Sequence, residues 1–589
     1  MALWGDERET TKKEQSSMTK VTGAQLLVKF LERKGVDQIY GIPGAAILPV
    51  YDAVLEGGNI RSYNVRHEQT AVFMADGYSR ATGKVGVCAA TSGPGATNFL
   101  TGLYSAFADS IPLIAITGQV PMSLLGKEAF QEAPMVEMAK PVTKGAYLLD
   151  NINEIPRILI EAWKKATTGK RGPILLDFPL DVQKTSIEMN IEEWLDQLND
   201  EDTSIPQASS DDIEKTISLL QTSKTPVLLV GGGVTLAGAA QELLEFATLL
   251  KIPVVSSLMG KDAFPNDNPL YAGMIGTICH TPLGNKTLLD SDLVINLGGR
   301  FSDRTTGDLG AFSGERKFIH INIDPHELNR VVKTELAIHS DLKVFLEKLC
   351  ARIKENKPES SYAWDIPQLK MEKEKNGRQT DFDTFPMKPQ RAIAELRKHI
   401  KRDAIITHDC GISQILSSQL FEAYEPGTYL ITGRAGTMGW GLGAAMAAKL
   451  AYPDRQCINL VGDGSLGMSL VDLSTAAKHN IPIVVFLLNN SLLGLIRQQQ
   501  NMFYDKRWIS TDLHYNNNHS SHFRGIDFVS TAKGMGMCAE LVQDPNDIGP
   551  ALERAFAAKK PYLLELTIDP NAMCSVSVDG TLDGILENI

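Results

Sequence analysis

The sequence predicts an α/β protein made of three doubly wound parallel-sheet domains. A short β-branched run, a Gly-rich turn and a helical pattern recur in three separate blocks, which is how parallel sheets covered by helices read in sequence. The length, 589 residues, exceeds what one hydrophobic core holds and suggests about three or four domains. Hydrophobic residues at 43% and charged residues at 22% are ordinary for a globular chain.

The blocks follow in order. Residues 1–19 read as a flexible polar tail and 20–184 as the first domain, with VGVCAAT before SGPGATNFLTGL and LIAITG before QVP. An acidic, polar stretch, 185–212, reads as a linker. The second domain, 213–353, opens with TPVLLVGGGV and contains DLVINLGGRFSDR and FIHINIDP. A charged stretch, 354–387, reads as a second linker. The third domain, 388–570, holds AIITHDCGISQ, GRAGTMGWGLGAA and INLVGDGSLGM, and 571–589 is a tail with no readable pattern.

Several function classes are excluded at this level. Against 58 basic residues stand 70 acidic ones, a net charge of −12, and no basic run offers nucleic acid or anionic lipid a surface. The seven cysteines are scattered and form no CxxC, which argues for a reducing cytoplasm and against a disulfide framework or zinc site. No apolar run reaches the roughly 18 residues of a membrane span. The first seventeen residues lack the hydrophobic centre of a secretory signal.

One constellation carries chemistry. The apolar run CINLV leads straight into Gly462-Asp463-Gly464-Ser465, and twenty-four residues separate Gly464 from Asn489-Asn490, which follows IPIVVFLL. Glycines at a strand end let backbone N–H groups approach a diphosphate, and the helix start that follows favours negative charge. Asp463 offers a hard anionic oxygen and Asn490 a neutral one, a pair suited to Mg²⁺ on phosphate oxygens. The intervening helix and strand form one βαβ-type crossover that returns Asn490 to the sheet edge of Asp463.

This pattern resembles the thiamine diphosphate signature, and the resemblance extends from Val21 to Pro570. GIPGAAILPVYDA, RHEQTAVFMADGYSRATGKVGV, TSGPGATN, ITGQVP, EAFQEA, GMIGT, GGRFSDRTTG, GTMGWGL and LNNSLLGLIRQQQ are similar to segments of the acetolactate synthase and glyoxylate carboligase family. The resemblance implies a pyrimidine-binding first domain, a central FAD-type domain and a diphosphate-binding third domain. It also implies a transferase that decarboxylates a 2-oxo acid and joins the fragment to a second one.

The family's site residues carry over as follows. Glu68 of RHE is the carboxylate that hydrogen-bonds the aminopyrimidine and promotes proton removal from the thiazolium carbon. Met438 is the apolar wedge that keeps the cofactor bent, and the Gly436 carbonyl accepts from its amino group. Gly44, Gln414, Gly462, Gly464, Ser465 and Gly494 fall at thiamine diphosphate contacts. Mg²⁺ is held by Asp463, Asn490 and the Leu492 carbonyl. Phe130 and Gln131 surround the second substrate, and Arg304 meets a carboxylate. Gly273, Met274, Arg300, Asp303, Asp324 and Asp341 align with FAD contacts. Since Glu68 and Asp463 lie on different domains, the family's arrangement implies a homodimer or homotetramer in which two chains complete each site. A small regulatory subunit is a further candidate partner.

Glu68 and Met438 follow acetolactate synthase, because glyoxylate carboligases carry an apolar residue in place of the glutamate. CGISQILSSQ, PMKPQRAI and GLIRQQQ lean toward glyoxylate carboligase. The tryptophan that favours 2-oxobutyrate in biosynthetic relatives is Gln499 here, and the lysine of their LPKDV segment is Leu180. Loss of the aromatic wall removes a preference for one extra methylene, worth about 1–3 kcal/mol. Pyruvate self-condensation is therefore the expected reaction, with glyoxylate carboligation and flavin-dependent pyruvate oxidation as the alternatives.

Overall fold

The computed structural model describes residues 18–199, 205–356, 362–514 and 525–587. Within them the chain builds three six-stranded, all-parallel sheets, each covered by helices. The first uses Gln38–Ile42, Arg61–Asn64, Gly86–Ala90, Leu113–Gln119, Gly145–Leu148 and Pro173–Pro179. Numbered by sequence within the sheet, they lie in the order 2-1-3-4-6-5. The third sheet, from Ile405–His408 through Tyr429–Ile431, Cys457–Gly462, Val484–Asn489, Cys538–Val542 and Tyr562–Thr567, repeats that order.

The central sheet differs. Its strands Pro226–Val230, Val254–Ser256, Tyr271–Met274, Leu293–Leu297, Lys317–Asn322 and Leu336–His339 lie as 3-2-1-4-5-6, the strand order of dinucleotide-binding sheets. In each sheet the order reverses beside the first strand, and the crevice outside the strand ends at that point is where ligands of open α/β sheets bind.

Burial on both faces explains the continuous apolar runs. Every residue of Pro226–Val230 and Ile405–His408 is buried, as are Cys457–Val461. Local signals set the helix starts. Thr22 and Gln25 form a capping box ahead of Gly23–Arg33, Ser209 and Asp212 another ahead of Ser210–Thr222, and the Asp341 side chain accepts from the Val344 N–H.

The outer domains share one core. Helix Glu68–Thr82 of the first packs on helix Trp440–Ala451 of the third, and the cluster joining them includes Phe73, Trp440, Leu442, Ala444 and Met446. Small residues allow the close approach.

Three stretches depart from the sequence reading. The expected linker 185–212 is largely part of a domain: Ser186–Met189 pairs antiparallel with Thr19–Thr22, and Trp194, Leu195 and Leu198 join the first domain's core. Its polar composition hid three apolar anchors. Within 354–387, helix Ile366–Lys375 lies on the central domain, with Leu369 buried and the Trp364 indole donating to the Pro226 carbonyl. The tail 571–589 buries Cys574, Val576 and Leu582 and closes a short antiparallel pair, Val576–Ser577 with Ile585–Leu586. It is held by backbone and amide bonds that leave no periodicity, among them Asp308 N–H to the Gly580 carbonyl and the Asn285 amide to the Leu582 carbonyl. Of the N-terminal tail 1–19, residues 1–17 fall outside the described residues.

Candidate active site

In the third sheet, strand Cys457–Gly462 pairs parallel with Val484–Asn489, and Gly462 stands opposite Leu488. Asp463 and Asn490 therefore leave neighbouring strand ends on the same edge. Both line a cleft of about 150 Å³ with Gly411, Ser413, Met438, Gly462, Gly464, Ser465, Leu492 and Gly494. The glycines sit close against neighbouring side chains. A Cβ on Gly464 would lie 2.8 Å from Leu493 Cδ2, and one on Gly494 would lie 2.9 Å from the Asn490 amide nitrogen.

The chemistry of the cleft can accept an anion together with a cation. Burial pushes the Asp463 carboxyl up to about 7, against the lowering effect of N–H groups including Gly464 and Ser491. A buried carboxylate with that handicap gains most from a bound cation. Ser413 Oγ and Gln414 Nε2 are buried without a hydrogen-bond partner, so donors are left over for a ligand. Ser465 Oγ donates to the Cys410 carbonyl at 2.9 Å, and the Asn490 side-chain oxygen accepts from Leu492 N–H at 3.1 Å. Among the described residues no group of three or more His, Cys, Asp or Glu could hold a metal. The residues that could hold a cation in this cleft are the Asp463 carboxylate and the Asn490 amide. Gly436, with φ +59°, passes the Cys410 sulfur, and the loop continues through Met438 into helix Trp440–Ala451.

A second cluster sits at the strand ends of the first sheet. Glu68 opens helix Glu68–Thr82 and accepts from Asn98 Nδ2 at 2.9 Å, and a Cβ on Gly95 would approach its other oxygen to 3.3 Å. Gly93, at φ +59°, abuts the backbone of Gln131, itself at φ +60°, while Phe130 is 88% exposed. Gly44 presses on Thr91 nearby. The structure thus brings Glu68, Gln131 and the Gly93–Gly95 turn together. Among the described residues, none of this cluster lines the Asp463 cleft, whose lining begins at Pro389.

The central sheet opens onto a cavity of about 1000 Å³. At its switch point the turns after Pro226–Val230 and Leu293–Leu297 touch: a Cβ on Gly231 would lie 2.4 Å from Gly299 Cα. Arg300, Asp303, Arg304, Asp324 and Asp341 all line this cavity, which reaches Cys410 and Gly436 of the third domain. Asp324 is buried, yet Lys170 at 2.9 Å and the His326 N–H hold its carboxyl below the usual range. Gly273 and Met274 are placed elsewhere. A Cβ on Gly273 would strike Thr281 Oγ1, and Met274 is packed in the third domain's core. The neighbouring Ile275 meets the cavity instead. Sequence reasoning quoted the motifs of Gly231, Gly299 and Ser413 without singling these residues out, and it missed Asp109, an aspartate in no motif whose loop partners Gly433 and Arg434 lie more than three hundred residues away.

Comparison with known proteins agrees with this layout. Residues 21–138 match the thiamine pyrophosphate enzyme N-terminal TPP binding domain, 213–349 the central domain and 409–566 the C-terminal TPP binding domain. The chain is 38% identical to a probable acetolactate synthase large subunit of Methanococcus aeolicus, over 95% of this chain and 94% of the relative. It is 38% identical to the acetolactate synthase large subunit of Corynebacterium glutamicum, over 94% and 88%. It is 36% identical to a glyoxylate carboligase of Escherichia coli O157:H7, over 97% and 96%. The chain belongs to the thiamine pyrophosphate enzymes, in the family of acetolactate synthase large subunits and glyoxylate carboligase.

Proposed function

We propose that the protein is an acetolactate synthase, which decarboxylates pyruvate and joins the two-carbon unit to a second pyruvate, giving 2-acetolactate and CO₂. The observation that carries this reading is Glu68, a carboxylate oriented by Asn98 beside the Gly93–Gly95 turn, in a chain that also keeps the Asp463–Asn490 cleft.

Thiamine diphosphate supplies the carbon nucleophile and electron sink for this chemistry. The residues do the rest. Asp463, Asn490 and the Leu492 carbonyl would hold Mg²⁺, Gly462, Gly464 and Ser465 would frame the diphosphate, and Ser413 and Gln414 would donate to it. Met438 and Gly436 would orient the cofactor, and the Glu68 carboxylate would hydrogen-bond its pyrimidine nitrogen. Gln131 and Phe130 flank the second 2-oxo acid, and Arg304 attracts its carboxylate.

FAD fits the central cavity by the sheet's strand order, the touching glycine turns and Arg300, Asp303, Asp324 and Asp341 on the lining. Its role there is structural. A second copy of the chain brings its own Glu68 cluster to each Asp463 cleft. The exposed apolar side chains Phe130, Leu124, Tyr104, Met468 and Val471 support such an interface. A small regulatory subunit fits the "large subunit" names of the relatives. The free cysteines suit the cytoplasm.

Purified enzyme with thiamine diphosphate, Mg²⁺ and FAD is given pyruvate, glyoxylate or both, and products are followed by NMR. Acetolactate from pyruvate supports the proposal. Tartronate semialdehyde from glyoxylate, with pyruvate left unreacted, supports the second reading, glyoxylate carboligase, which the 36% identical relative favours. Oxygen uptake with pyruvate would point to an oxidase.

A further inference from the structure

Asp109 ends helix Leu100–Asp109 of the first domain, and its side chain is buried. One oxygen accepts the Gly433 N–H at 2.8 Å and the Arg80 guanidinium at 3.2 Å; the other accepts the Arg434 N–H at 3.0 Å. Arg300 of the central domain lies 3.6 Å from that second oxygen and donates to the adjacent Ala108 carbonyl at 2.7 Å. A single carboxylate therefore touches all three domains.

The segment it holds matters. Gly433 and Arg434 begin the loop that carries Gly436 and Met438 into helix Trp440–Ala451. Thr432 Oγ1 accepts the Thr437 N–H, and Asp76 and Arg80 fix Trp440 at the far end. Asp109, Arg80, Arg300, Gly433, Arg434 and Gly436 also line the central cavity. A ligand in that cavity and the thiamine-facing loop thus share one anchor.

We propose that Asp109 is a positioning residue that sets the Gly433–Met438 loop for thiamine diphosphate and, through Arg300, couples that loop to occupancy of the central cavity. The coupling half rests on the flavin reading above; the loop half does not. Two N–H bonds to one carboxylate fix the loop's direction, and charge-assisted bonds in a buried site are the stronger kind. Linkage makes the coupling reciprocal: FAD tightens thiamine diphosphate by the factor with which thiamine diphosphate tightens FAD.

The test measures thiamine diphosphate affinity with Mg²⁺, from tryptophan fluorescence, with and without FAD, whose binding is followed separately by flavin absorbance. Without FAD, Asp109→Asn weakens thiamine diphosphate by about tenfold or more while the melting transition stays cooperative. An affinity within about twofold of the unsubstituted protein overturns the positioning role. In the unsubstituted protein FAD tightens thiamine diphosphate by about fivefold or more, and this ratio collapses toward one in Asp109→Asn. A ratio of one in the unsubstituted protein, or a ratio retained in the variant, overturns the coupling. If Asp109→Asn does not fold, Arg300→Lys, which shortens the reach to Asp109, provides the ratio test at FAD concentrations where flavin absorbance shows the cavity filled, with the same two outcomes. Failure of the unsubstituted protein to bind FAD at all removes the flavin reading and the coupling together, leaving the loop measurement to stand alone.

Discussion

Gly77 and Ala444 are in backbone contact: a Cβ on Gly77 would lie 2.3 Å from the Ala444 Cα. The shared core of the two thiamine-type domains is built around this approach, with Gly443 pressed on Phe73 beside it. Neither domain can yield locally, because Phe73, Trp440 and Ala444 are fully buried.

Gly77→Ala is therefore expected to destabilise the protein by about 1–3 kcal/mol through overpacking, since the obstructing atoms are backbone. Thermal unfolding of the variant beside the unsubstituted protein checks this. An unchanged midpoint would contradict the packing.

Glu68→Gln keeps the size of the side chain and its bond to Asn98 while removing the charge. A loss of about 10²–10⁴-fold in kcat is expected, with thiamine diphosphate still binding. Steady-state rates together with a binding titration check it. A rate near that of the unsubstituted enzyme would remove Glu68 from the chemistry.

Buried Asp262 accepts N–H bonds from Thr428 and Tyr429 at 3.0 and 3.1 Å, and burial pushes its carboxyl up to about 6. The folded protein thus holds a proton there more tightly than the unfolded chain. The group favours folding most below its unfolded value near 4, and that contribution is lost as pH rises through about 6. The loss is at most about 3 kcal/mol. Asn at this position accepts the same two bonds without the charge. Asp262→Asn should flatten the decline between about pH 4 and pH 6, and denaturant unfolding at a series of pH values checks it.

A side chain on Gly231 would meet Gly298 and Gly299 backbone on the facing turn, so Gly231→Ala must separate the two turns that open the central cavity. Purified Gly231→Ala should carry less flavin per chain than the unsubstituted protein. Absorbance near the flavin band gives the ratio directly.

The sequence made the repeated chemistry visible and hid what long-range packing decides. Asp463 and Asn490 follow apolar strands at a readable spacing, and parallel register alone then places them side by side. Glu68 was readable only through its flanking residues, because a glutamate at a helix start is common on any surface. Trp194 and Leu195 sit in an acidic stretch that reads as a linker, and only their burial against the first core reveals otherwise. Gly273 serves its helix neighbour Thr281 rather than the cavity, a distinction no motif encodes. Asp109 carries no local signal because the loop N–H groups it accepts from, Gly433 and Arg434, come from 324 and 325 residues away.

We propose that Glu68 of one chain and Asp463 of another complete a single carboligase site. The measurement is acetolactate formation from pyruvate after unfolding and refolding a mixture of two inactive variants, Glu68→Gln and Asp463→Asn. Mixed assemblies hold one site with both substitutions and one with neither, so activity is expected to return on mixing. If both residues served one site within a single chain, every site in the mixture would carry a defect, and persistent inactivity would contradict the claim.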